Sequence, residues 1–268
     1  MRKDYRSAPV RMLVVMGESN GFGMCANDPR NEWPQALAGL IRDFQDEPLF
    51  VRNNSIPGSV ISGRSTGTPF LPGRSLPSAL ERWEEEVIGV RPDLVVIAYG
   101  LNDSRCGNPV DRFIEDLETM VRDVRKRTDA LVVIASPYWN TQYNEELWRT
   151  NTPSWVSDPS WKAFTVSGDA LVRSYVTEME KLAARHSCLF VDLYALTENC
   201  LWLINPDQVH FNDVGHRLIG QAIFQVIASN CSFIGKKSMR LAVDGGLDTT
   251  NTGGAQCTSR MVHEWLNR

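Results

Sequence analysis

Five short apolar runs, Met12–Met16, Leu49–Val51, Leu94–Ala98, Leu131–Ala135 and Cys188–Val191, recur along the chain with segments of helical period between them. Runs this short, rich in β-branched residues and without polar alternation, read as strands buried on both faces. The clearest helical segment is Pro109 to Arg127, where Val110, Phe113, Ile114, Leu117, Met120, Val121 and Val124 fall three and four apart. Asn108 is expected to cap it, with Pro109 at the first helical position. Segments Gly168 to Arg185 and Asn212 to Ser229 repeat the pattern. Strand alternating with helix means βαβ units with right-handed crossovers, hence a parallel sheet covered by helices on both faces. Ligands of such sheets bind beyond the carboxyl ends of the strands. The informative loops are therefore those opening at Gly17, Asn53, Tyr99 and Pro137, and the loop after Leu193.

Charge and cysteine usage remove several alternatives. With 28 Lys+Arg against 32 Asp+Glu, the formal charge is −4, and no basic run exceeds Arg125-Lys126-Arg127. That gives no electrostatic footprint for nucleic acid or an anionic membrane. The basic start, Met1 to Arg6, is followed by an apolar run of only five residues, Met12–Met16. A signal-peptide core needs roughly 7–15, and no run approaches the ~18 apolar residues of a spanning helix. The expected location is the cytoplasm by default, with secretion from a longer precursor left open. Six cysteines lie scattered without a CxxC pair, which argues against a zinc site and does not require disulfides.

Two regions leave the pattern. Residues 137–167 carry Trp139, Trp148, Trp155 and Trp161, four of the eight tryptophans. A connection this long is functional or disordered, and tryptophan argues against disorder. The tail 236–268 is rich in Gly and Thr and has no assigned role.

The candidate chemistry sits at the strand ends. The first strand runs into Gly17-Glu18-Ser19-Asn20-Gly21, exposing Ser19 as a possible nucleophile, although Ser and Asn are also ordinary turn residues. The third ends in Tyr99-Gly100-Leu101-Asn102-Asp103, so Asn102 either donates to an oxyanion or forms a cap or Asx-turn. Gly58, in Asn53-Asn54-Ser55-Ile56-Pro57-Gly58, offers a backbone N–H or is a turn glycine. Asp207 and His210, three apart before the last helix, can touch, the carboxylate fixing the imidazole tautomer. Singly, each has a bland reading; together, in four loops at one sheet edge, they form a catalytic constellation.

These four blocks, in this order from about Met12 to Gly215, resemble those of the SGNH hydrolases, the GDSL-like esterase and lipase superfamily. The resemblance implies a flavodoxin-like three-layer α/β/α sandwich with strand order 2-1-3-4-5. It implies Ser19 as nucleophile, Asp207 and His210 as its DxxH partners, and Ser19, Gly58 and Asn102 as the oxyanion hole. It further implies ester hydrolysis without metal or cofactor. Because the serine near residue 19 and its base near residue 210 must meet across one sheet, a single domain is expected over 1–235. Gly100-Leu101-Asn102-Asp103 matches the family's GxND, whereas Gly17-Glu18-Ser19-Asn20 replaces the usual Gly-Asp-Ser and apolar residue. The longer carboxylate is expected to hold the serine turn differently, and Asn20 to face the substrate; the tryptophan segment, with Trp139 and Tyr143 as candidate substrate contacts, either stacks sugar rings, forms an apolar lid over an acyl chain, or packs on the domain with its indoles buried.

Other readings fit less well. Gly17, Gly21 and Gly23 have GxxxGxG rather than dinucleotide spacing. His210 and His216, six apart, lack a zinc pattern, and His216 is expected to pack or hydrogen-bond on the last helix. An acyltransferase would use the same triad, and a catalytically dead glycan-binding module the same fold. The expected substrate is a small-molecule or saccharide ester, preferably a short acyl group such as acetyl on a carbohydrate. Oligomeric state is not readable.

Overall fold

The computed structural model describes residues 3–63, 76–143 and 168–235. Trp148, Trp155 and Trp161 of the tryptophan-rich segment, and the tail from Lys236, lie outside the described residues. Strands β1 (Met12–Gly17), β2 (Phe50–Asn53), β3 (Leu94–Ala98), β4 (Leu131–Ala135) and β5 (Leu189–Val191) form one parallel sheet in the order β2-β1-β3-β4-β5. The expected order is thus the observed one. Gly17 pairs with Ala98, and Val15 with Asn53. The loops leaving β1, β2 and β3 therefore open side by side.

The strand runs are apolar throughout because both faces are covered. Leu13 and Val15 of β1, Leu94 and Val96 of β3, and Leu131 and Val133 of β4 meet α2 (Trp33–Phe44) and α8 (Asp213–Asn230) on one side. Their alternates Val14, Met16, Val95, Ile97, Val132 and Ile134 meet α3 (Ala79–Trp83), α5 (Val110–Arg127) and α6 (Gly168–Arg185) on the other. Each such side chain stabilises the layers by about 1.5–3 kcal/mol. Three short helices, α1 (Ser19–Phe22), α4 (Leu101–Arg105) and α7 (Leu193–Thr197), follow β1, β3 and β5 at the carboxyl edge.

Two local expectations are corrected. β2 begins at Phe50, one residue later than the apolar run, and exposes 65% of Phe50. As an edge strand it has a partner on one side only, so its apolar pattern is weaker. Asn108 does not cap α5; Pro109 is the capping residue, and the buried Asn108 amide turns towards Asp103 Oδ1 at 3.5 Å. α8 has a side-chain cap: Asn212 Oδ1 accepts from the N–H groups of Val214 and Gly215, each at 3.0 Å. No helix among the described residues is long and apolar enough to cross a membrane.

Candidate active site

β1 delivers Ser19 to the sheet edge as the first residue of α1, buried to 6% exposure. As a first-turn residue it has no intrahelical acceptor for its N–H. The loop 205–210 returns over it, pinned by the Asn205 N–H to His210 carbonyl bond (2.7 Å) and an Ile204–Phe211 bridge. His210 Nε2 stands 2.8 Å from Ser19 Oγ, and His210 Nδ1 bonds Asp207 Oδ2. Since a carboxylate only accepts, the proton lies on Nδ1 and Nε2 is left to accept from Ser19. Asp207 Oδ1 accepts from the N–H groups of Val209 (3.0 Å) and His210 (2.9 Å). Burial opposes charge on Asp207, but the His210 ring and these two N–H groups outweigh it and hold the pKa below the ordinary carboxylate value.

The next contact was not anticipated from sequence. Glu18, beside the serine, is buried, and its carboxylate reaches across to the start of α4. Oε1 accepts from the N–H groups of Gly100 (2.7 Å) and Leu101 (3.0 Å), and Oε2 from that of Asn102 (3.1 Å). A short helix exposes such unpaired N–H groups at its start, and a buried carboxylate needs donors. Gly100, at φ +124°, makes the turn that aims them inward. The extra methylene of Glu over Asp supplies reach, which is how this serine turn departs from the usual pattern. Burial first, then the charge of buried Asp103, raises the Glu18 pKa to about 8 against the lowering by the Gly100 and Asn102 N–H groups and Arg105.

Asn102 continues the chain of bonds. Its Nδ2 donates to the Ser59 carbonyl at 3.0 Å, so one amide N–H is committed and the second is free to serve another acceptor. Ser59 follows Gly58, which sits at φ +79°, and Asp103 accepts from the Ile61 N–H at 3.1 Å. Ser19, Asn102 and Gly58 are thus linked through Glu18 and Ser59, three loops held in one register.

Two of the expected substrate contacts are buried. Asn20 is buried, and its Oδ1 accepts from the Phe211 N–H at 3.1 Å. This bond ties the serine turn to the histidine loop. Trp139 is 3% exposed and packs against Val172 and Tyr194, because the chain leaving β4 turns inward under α6. Tyr143 remains half-buried, on a turn whose Thr141 hydroxyl donates to the Gln208 carbonyl at 2.8 Å. His216 is fully buried and its Nε2–H donates to the Met24 carbonyl at 2.9 Å. Burial lowers its pKa, so it packs as a neutral ring. Beyond Met24, Cys25 Sγ lies 3.5 Å from Asp207 Oδ2. Burial, then Asp207, pushes this thiol up to about 12, leaving it a protonated donor to the carboxylate.

Comparison with known proteins gives a concordant picture. A family model described as GDSL-like Lipase/Acylhydrolase family matches residues 15–218. Among solved structures, TesA is 16% identical, covering 82% of this chain and 99% of its own, with a TM-score of 0.59. A catalytic mutant of an acetylxylan esterase from Geobacillus stearothermophilus is 19% identical, covering 85% and 97%, at 0.57. The lipase/acylhydrolase from Enterococcus faecalis is 21% identical, covering 82% and 96%, at 0.55. At these identities the structural likeness is one of fold. No curated sequence relative matches the chain.

Proposed function

This chain belongs to the GDSL-like lipase/acylhydrolase family and is a carboxylic ester hydrolase, and from that premise we propose that it cleaves short-chain esters, acetyl groups on carbohydrates foremost, with Ser19 as nucleophile. The observation that carries the reading is the continuous arrangement Ser19 Oγ, His210 Nε2 at 2.8 Å, and Asp207 on the far ring nitrogen. His210 takes the Ser19 proton as Oγ attacks the ester carbonyl, and Asp207 stabilises the imidazolium so formed. The oxyanion accepts from the N–H groups of Ser19 and Gly58 and the uncommitted N–H of Asn102, each donor contributing on the order of 3 kcal/mol. His210 then protonates the leaving alcohol. It next deprotonates the water that attacks the acyl-enzyme, and the acid departs.

The catalytic unit of this proposal spans residues 1–235, and its substrate is a small-molecule or saccharide ester. The acetyl preference draws support from the fold shared with an acetylxylan esterase. A chain-length series of p-nitrophenyl esters, run beside acetylated xylooligosaccharides, tests it: rates should fall with acyl length, and a preference for long chains overturns the acetyl reading. Ser19→Ala should abolish turnover with an unchanged circular dichroism spectrum; wild-type turnover in that variant removes the nucleophile assignment.

A further inference from the structure

Three ligand-type atoms converge behind the histidine, on the side away from Ser19. Cys25 Sγ, Asp207 Oδ2 and His210 Nδ1 all lie within 4.8 Å of one another. Cys25 and Asp207 are half-buried, and the His210 side chain keeps 11% exposure, so a small ion has access from solvent. The cysteine is held in place rather than loosely present. Its backbone adopts φ +67°, and the preceding Met24 carbonyl is fixed by buried His216 at 2.9 Å.

We propose that these three residues form an inhibitory site for a thiophilic divalent cation such as Zn²⁺, which switches the esterase off by capturing the back of the histidine. The proposal rests on the Ser19–His210–Asp207 reading above. A sulfur, an imidazole nitrogen and a carboxylate oxygen are the donor set of zinc and not of Mg²⁺ or Ca²⁺, which take oxygen. Around tetrahedral zinc, with bonds of about 2.0–2.3 Å, neighbouring ligand atoms stand about 3.2–3.6 Å apart. The Cys25–Asp207 separation of 3.5 Å already fits that spacing. The His210–Asp207 pair must open from a hydrogen bond to the same spacing, leaving the fourth position to water.

The proton balance explains the inhibition. The Cys25 thiol releases its proton to solvent and binds as thiolate. His210 binds through the Nδ1 lone pair, so the ring proton moves to Nε2, and the ring remains neutral. Nε2–H now faces Ser19 Oγ and can no longer accept its proton. Asp207 is spent on the metal at the same time. One proton is released per cation bound and nothing is oxidised.

The test has a kinetic and a spectroscopic arm. Zn²⁺ is titrated into wild type and Cys25→Ser during p-nitrophenyl acetate turnover, each scaled to its own metal-free rate. Co²⁺ is added to Ser19→Ala and to Ser19→Ala/Cys25→Ser, reading thiolate-to-cobalt charge-transfer absorption. Serine keeps a hydroxyl donor for Asp207 but is a poor zinc ligand. The half-inhibiting Zn²⁺ concentration should rise by at least the roughly 10–100-fold that losing an outer-shell partner costs. EDTA should restore the wild-type rate and Mg²⁺ should leave it unchanged. The cobalt band should appear in Ser19→Ala and vanish in the double variant. Equal zinc sensitivity of wild type and Cys25→Ser, or a cobalt band indifferent to Cys25, overturns the site. Wild-type turnover by Ser19→Ala instead overturns the triad reading, and the cobalt band then still reports whether the cation site exists.

Discussion

Glu18→Gln is the sharpest test of how Ser19 and Asn102 are kept in register. The amide retains an oxygen for the Gly100 and Leu101 N–H groups, but its Nε2 faces the Asn102 N–H that now bonds Glu18 Oε2 at 3.1 Å. Donor meets donor in a buried site, and an unsatisfied buried N–H costs about 1–3 kcal/mol. At about 2–4 °C per kcal/mol for a domain of this size, Tm should fall by roughly 2–12 °C. The strain falls on Asn102, so kcat for p-nitrophenyl acetate should drop by up to about 10²-fold with little change in KM. A pH series adds a second readout. The Glu18 pKa is raised to about 8 from 4.5, so between those values the folded protein holds a proton that the unfolded chain releases. Stability contributed by that proton is complete below about 4.5 and is lost as pH rises through about 8. Gln cannot titrate, so the variant's stability should lack this decline. Unchanged Tm and kcat, a pure KM effect, or parallel stability profiles for the two proteins would each refute the bridging role.

Two more perturbations follow from the same site. Asn102→Ala removes the side-chain donor while leaving the backbone N–H that Glu18 holds, so kcat should fall by roughly 10²–10³ with KM nearly constant; steady-state kinetics decide, and a KM-only effect means ground-state binding. Gly100→Ala places a Cβ at 2.7 Å from Pro137 Cγ and 3.2 Å from Phe113 Cζ, at a φ of +124°. Backbone strain and overpacking together should cost roughly 2–5 kcal/mol, read as a lowered denaturant midpoint, and an unshifted midpoint contradicts the account.

The parallel sheet was legible in the sequence because its signal is local. Val14 and Val15 are both apolar since each faces a helix layer, and that demand is written in every strand run. The serine, the asparagine and the Asp207–His210 pair were legible because strand ends and a three-residue spacing constrain where side chains can go. The cap of α5 was not legible, because Asn108 prefers a buried partner that only the fold supplies.

Other features were invisible until distant segments met. Glu18 reaches Asn102 across 84 positions, and Cys25 reaches Asp207 across 182. The bond of Asn20 to Phe211 and the packing of Trp139 against Val172 and Tyr194 were likewise set only by tertiary contacts. Sequence by itself determined which residues carry reactive groups and which edge of the sheet receives them, through hydrophobic periodicity and turn chemistry. Tertiary structure alone decided what each group touches, because hydrogen-bond partners, burial and the resulting shifts in proton affinity depend on loops that the chain brings together only after it folds.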